Sequence, residues 1–120
     1  RGASASNEFT VPPIPAADFN VNEEDRIWVD SMCTPHPLGT LTQPIELTGS
    51  HARVANKTYA LATNNPIALF EDFARSMRRD PSCISYELAC GHDVMIDLQK
   101  ETSAIIEEAA ARVAARRGRA

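Results

Sequence analysis

With 120 residues, 43% of them apolar and 23% charged, the chain has the composition of ordinary globular protein, enough for one domain with a modest core or for a piece of a larger one. Its net charge of −4 supplies no clustered positive field of the kind that nucleic acid or an anionic membrane requires, so neither is expected as a partner. No stretch approaches the roughly 20 consecutive apolar residues that span a bilayer, and a soluble protein is expected.

Three cysteines, Cys33, Cys83 and Cys90, are too few and oddly numbered for the disulfide framework of a small secreted domain. Reduced thiols and a cytoplasmic setting follow as the expectation. The chain starts at Arg1 with no apolar run behind it, so no signal peptide is recognisable. The one basic cluster, Arg112, Arg116, Arg117 and Arg119, falls at the end of a predicted helix, where cations complement the dipole and solvate the terminus.

Residues 1 to 20 combine small and polar residues with Pro12, Pro13 and Pro15, which remove amide donors and favour extended backbone. Asn22 is placed to cap a helix with Glu23, Glu24 and Asp25 in its first turn. Ile27, Trp28 and Met32 then recur at near-helical spacing until Thr34-Pro35 ends it. A second short helix is expected after Pro37. From Gly39 to Asn56 no period is sustained, which reads as loop with short regular pieces.

The pattern changes at Lys57. Residues 57 to 62 form a short apolar run suited to a strand buried on both faces, broken by Asn64-Asn65-Pro66. Leu69, Phe70, Phe73 and Met77 then predict an amphipathic helix over 67–78, stopped before Asp80-Pro81. Ile84, Tyr86 and Leu88 alternate with Cys83, Ser85 and Glu87 in a second strand that Gly91 ends. Asp97 is placed to cap a final helix whose apolar face holds Leu98, Ile105, Ile106, Ala109 and Val113.

Strand, helix, strand and helix with turns of this length predict a βαβ unit with parallel strands and a right-handed crossover. Parallel sheets are stable when several strands are covered on both faces, whereas two strands leave edges unpaired. The expectation is therefore one end of a larger sheet.

Within Glu87-Leu88-Ala89-Cys90-Gly91-His92-Asp93 a histidine follows directly on the carboxyl end of the second strand. Catalytic groups of open α/β sheets gather at that edge, and histidine is the usual general base near neutral pH. The plainer alternative is a turn histidine that hydrogen-bonds the following helix.

The chain resembles the bacterial α/β-hydrolase-fold esterases, which are similar to plant methylesterases and hydroxynitrile lyases. The residues that carry the resemblance are Trp28-Val29-Asp30 and Thr34-Pro35-His36-Pro37-Leu38 in what would be a cap, Lys57-Thr58-Tyr59 on the penultimate strand, and Cys90-Gly91-His92-Asp93-Val94-Met95 after the last one. The resemblance runs from about Thr10 to Ile106 and implies that His92 is the base of a serine hydrolase triad acting on a small-molecule ester. It further implies a fold made of the C-terminal βαβα portion of an α/β-hydrolase parallel sheet, preceded by a helical cap segment. Residues 1–49 are assigned to that cap and 50–120 to the core, with no metal or organic cofactor. Met95 either lines the acyl pocket, as the resemblance suggests, or starts the apolar face of the last helix. Trp28 either packs in the cap or lines the pocket.

Departures from the family pattern are equally informative. The fold places its nucleophile in a G-x-S-x-G elbow ahead of the histidine, and none of Ser4, Ser6, Ser31, Ser50, Ser76, Ser82 or Ser85 has the flanking glycines. The chain alone is expected to be inactive, completed by an N-terminal part of the same hydrolase. Where the plant relatives carry an acid after the penultimate strand, this chain has Thr63, Asn64 and Asn65, none able to bear the charge that steadies an imidazolium. Glu71 and Asp72 on the next helix read as solvated, and Asp93 as a turn or helix cap, so the acid is expected upstream. Lyase chemistry on the same scaffold stays open.

An alternative from another class uses Cys33, His36, Cys90 and His92 as a structural zinc site in a small interaction module. Shared tetrahedral ligation would bring the two sulfurs to roughly 4 Å.

Overall fold

The computed structural model describes residues 9–65 and 67–118, apart from the side chains at 116 and 117. Ser4, Ser6, Arg119 and the side chains of Arg116 and Arg117 therefore lie outside the described residues. In chain order the elements are β1 (Thr10–Val11), α1 (Arg26–Met32), β2 (His36–Pro37), α2 (Gly39–Thr42), a 3-10 turn (Ser50–Arg53), β3 (Lys57–Ala62), α3 (Leu69–Met77), β4 (Cys83–Leu88), α4 (Val94–Asp97) and α5 (Gln99–Arg117).

The centre is the pair β3 and β4, which run parallel with Lys57 opposite Cys83 and Ala62 opposite Leu88. This is the expected pairing, with α3 connecting the two strands. Burial rises along both strands toward their carboxyl ends, where Leu61, Ala62 and Leu88 are enclosed. Ala62, Leu88 and Cys90 form the core cluster, flanked by Ala60, Val94, Leu98 and Ile105. The amino ends are held differently. Asp80, in the turn before β4, accepts from Lys57 Nζ at 2.7 Å, Ser82 N at 2.8 Å and Ser82 Oγ at 2.6 Å, while Lys57 N donates to Ser82 O at 2.9 Å.

Helix α3 buries Ala74 completely and leaves Phe73 half in solvent, as an amphipathic helix on one face of a narrow sheet must. Along α5 the half-buried positions are Thr102, Ile105, Ala109 and Arg112, a three- and four-residue spacing that presses one stripe on the sheet. Ile106 and Val113, expected on that face, are exposed instead. Arg112 is no solvated terminus: it donates to Glu108 Oε1 and to Thr58 Oγ1, both at 2.7 Å, tying α5 to β3.

Two expected helix starts are displaced. Asn22 begins a turn, accepting from Asp25 N at 3.1 Å, and α1 follows with Asp25 as its N-cap residue, so the acidic residues precede the helix rather than fill its first turn. Asp97 closes α4 instead of capping α5, because its carboxylate is drawn elsewhere: it accepts from Asn22 N at 3.0 Å, Asn22 Nδ2 at 2.9 Å and Gly91 N at 2.9 Å. The amino-terminal part is thinner. A second pair, β1 with β2, is antiparallel and two residues long, and nearly all of residues 31–55 are exposed. Among the described residues no helix is long and apolar enough to cross a membrane.

Candidate functional site

Three segments meet beyond the carboxyl ends of β3 and β4. After β3 the chain turns through Thr63, Asn64 and Asn65, and after β4 it continues through Cys90, Gly91 and His92. The parallel ladder extends into both turns, since Thr63 N donates to Leu88 O at 2.8 Å and Asn64 N to Cys90 O at 3.1 Å. The third segment, residues 16–22, comes from far upstream. Val21 N donates to Ala16 O at 3.1 Å, and Asn20 sits in the left-handed region at φ 56°, a conformation that asparagine tolerates better than most side chains.

This upstream turn is seated on the histidine loop. His92 N donates to Phe19 O at 2.9 Å, Asn20 Nδ2 donates to Asn64 O at 3.1 Å, and Asp97 ties Asn22 to Gly91. Gly91 is required by the closeness of the approach: a Cβ there would lie 2.0 Å from Asn20 O and 2.9 Å from Phe19 O.

His92 thus lies where expected, in the loop after β4 at the carboxyl edge of the sheet. It is half-buried rather than substantially exposed, because two aromatic rings cover it. Phe19 stacks on the imidazole with centroids 4.7 Å apart, and Phe70, at the start of α3, tilts against it at 5.3 Å. Asn65 Nδ2 lies 2.8 Å from His92 Nδ1, while Asn65 Oδ1 accepts from Ile67 N at 3.0 Å. Nε2 has no partner among the described residues. Beside the ring a cavity of about 190 Å³ is walled by Tyr59, Ala60, Leu61, Ala62, Phe70 and Val94. Tyr59 closes it by donating from its hydroxyl to Phe70 O at 3.1 Å; burial, then the charge of Glu71, pushes the phenol above its ordinary value.

The other expected site residues are elsewhere. Trp28 is 54% exposed on α1 and Met95 55% exposed on α4, and neither borders the cavity beside His92. Asp93 occupies the N-cap position of α4 but makes no side-chain cap hydrogen bond, so the cap expected of it is not formed. Asn65, dismissed as unable to carry charge, is the residue that reaches Nδ1. Phe19 and Phe70 gave no signal of a role: one lies in a proline-rich segment and the other on the apolar stripe of a helix.

The zinc alternative is overturned by the same placement. Among the described residues no three side chains of the His, Cys, Asp and Glu types gather to hold a metal ion. Cys33 is exposed near β2, and His36 is engaged by Thr40 Oγ1. Cys90 is buried in the core, where desolvation, then the charges of Asp97 and Glu101, pushes its thiol up and disfavours the thiolate a metal needs.

Comparison with known proteins gives one point of reference. The chain is 37% identical to a carbendazim hydrolyzing esterase of Nocardioides sp. (strain SG-4G) over 89 residues, which make up 74% of this chain and 37% of that protein. A relationship to an esterase follows, and the matched chain spans 37% of that relative's length. No known family profile and no solved structure matches.

Proposed function

We propose that the chain is the part of an α/β-hydrolase-type ester hydrolase that carries the catalytic histidine, His92. The observation that carries the reading is the histidine's setting: the carboxyl edge of a parallel strand pair, Nδ1 held by a side chain from the neighbouring turn, and Nε2 without a partner among the described residues. The similarity to an esterase supports it.

In this reading a serine, with its oxyanion donors, lies outside these 120 residues, and residues 1–49 contribute a cap while 50–120 end the core sheet. Nε2 takes the hydroxyl proton as serine oxygen attacks the ester carbonyl. The imidazolium returns that proton to the departing alcohol when the tetrahedral intermediate collapses, leaving an acyl-serine. Water then attacks the acyl-serine, giving a proton to Nε2, which returns it to the serine oxygen as the acid is released. The chemistry calls for no metal or organic cofactor. The substrate is a small-molecule ester, and the three thiols, none in a disulfide, fit a reducing compartment such as the cytoplasm.

A pair of assays with p-nitrophenyl acetate tests the assignment. The 120-residue chain alone is expected to hydrolyse it no faster than free imidazole at equal concentration, because positioning and preorganised electrostatics supply most of the rate. The protein at its full natural length is expected to turn it over, with His92→Ala lowering kcat by about 10²-fold or more, the usual loss with a general base. Robust turnover by the isolated chain, or near-normal turnover by the His92→Ala protein, defeats the reading.

A further inference from the structure

Asn65 makes two hydrogen bonds that together decide the state of His92. Its Oδ1 is occupied by the amide of Ile67 at 3.0 Å, so the end of the side chain facing the ring is the NH2 group, 2.8 Å from Nδ1. An amide NH2 only donates. Nδ1 must therefore accept with its lone pair, and a neutral imidazole with a bare Nδ1 carries its single proton on Nε2. The two aromatic rings at 4.7 and 5.3 Å restrict the imidazole's freedom to seek another partner.

We infer that Asn65 is the positioning residue of His92 and rests it in the Nε2–H tautomer, so that the free nitrogen of the site is a hydrogen-bond donor at rest. The inference builds on the reading of His92 as the base. For Nε2 to accept a proton, the Asn65 amide must rotate so that Oδ1 faces the ring, which breaks its bond to Ile67. One proton then leaves Nε2 for solvent while another arrives from solvent at Nδ1, with no net change in charge. An aspartate at this position needs no rotation: one carboxylate oxygen accepts from Ile67 N and the other from Nδ1–H. The site is thus built to hold its histidine in place at the expense of resting it in the less reactive form.

The test reads the ring directly in the protein at full natural length. Nitrogen-15 shifts of His92, taken with the ring in its neutral form, are expected to show Nε2 protonated and Nδ1 bare. Asn65→Asp is expected to invert the two. It should also raise the plateau kcat for p-nitrophenyl acetate by about tenfold or more, since a histidine held in the wrong tautomer costs up to about 10⁴ in a serine hydrolase. The ascending limb of its pH–rate profile should move to higher pH, because a carboxylate on Nδ1 stabilises the imidazolium. A parent ring with its proton on Nδ1, or an unchanged tautomer in Asn65→Asp, overturns the inference. Should Asn65→Asp not fold, Asn65→Ala is expected to give a mixture of tautomers, and retention of pure Nε2–H there overturns it equally. Inverted ring shifts without hydrolysis in either protein uphold the role of Asn65 and defeat the esterase reading instead.

Discussion

At the scale of single residues the site is assembled by Gly91, Asp97 and Phe19 as much as by the histidine they surround. Gly91→Ala drives a methyl to within 2.0 Å of the Asn20 carbonyl oxygen, a contact no rotamer change relieves, because both sides are backbone. The upstream turn must lift off, and a cost of about 1–3 kcal/mol is expected, as for overpacked cores; urea unfolding of the variant checks it. Asp97→Ala strands the amides of Gly91 and Asn22 without their shared acceptor. Hydrogen bonds to a charged group contribute about 1.5–3 kcal/mol, and a loss in that range is expected by the same measurement. The position of His92 at the carboxyl edge of the sheet was legible because the alternating run 83–88 and Gly91 mark where the strand ends. Asp97 was expected as a helix cap and is a tether instead; its partner Asn22 lies far back in the chain and no local pattern announces it. Asn65 does lack the charge, as expected, and its hydrogen-bonding reach to Nδ1 went unread for a related reason: no local pattern shows which ring the turn will face.

At the scale of elements the best-read part is the strand–helix–strand unit, where β3 spans the expected 57–62 and β4 covers the alternating run Cys83–Leu88. Short apolar runs bounded by asparagine, proline and glycine leave little freedom there. The helix starts at Asn22 and Asp97 were misplaced because capping side chains are local signals, and both found tertiary partners instead. The staple at the strands' other end has a pH signature. The hydrogen bond from Lys57, followed by those from Ser82, lowers the Asp80 carboxyl from 3.8 to about 2. A folded-state value below the unfolded one means that its contribution to stability is present above about pH 4 and is lost as pH falls toward 2. Between pH 5 and pH 2 the Tm of Asp80→Asn is therefore expected to fall less than that of the parent, with a lower starting value. Parallel acid limbs for the two proteins contradict the staple.

At the scale of the whole molecule the fold is spread out. Its radius of gyration is 17.9 Å, against about 14 Å for a compact domain of this length. Ile27 and Ile45, at 85% and 80% exposed, head a set of large apolar side chains left in water, most of them before residue 55. Apolar surface of that extent marks contact sites in soluble proteins. Prepared alone, the 120-residue chain is expected to self-associate at micromolar concentration, visible as concentration-dependent sedimentation, and Ile27→Ser with Ile45→Ser to reduce it.

The clamp on His92 joins parts of the chain that are remote in order. Its backbone amide and one face of its ring are both served by Phe19, whereas its Nδ1 partner belongs to the turn after β3. Between the two runs an exposed stretch from Thr40 to Ala55 with no buried residue. A protease cutting there severs the covalent link and leaves the grip on the histidine spread over two peptides. Loosening of the ring after such a nick would then depend on dilution, and the histidine's order would become a reporter of whether the two peptides remain bound.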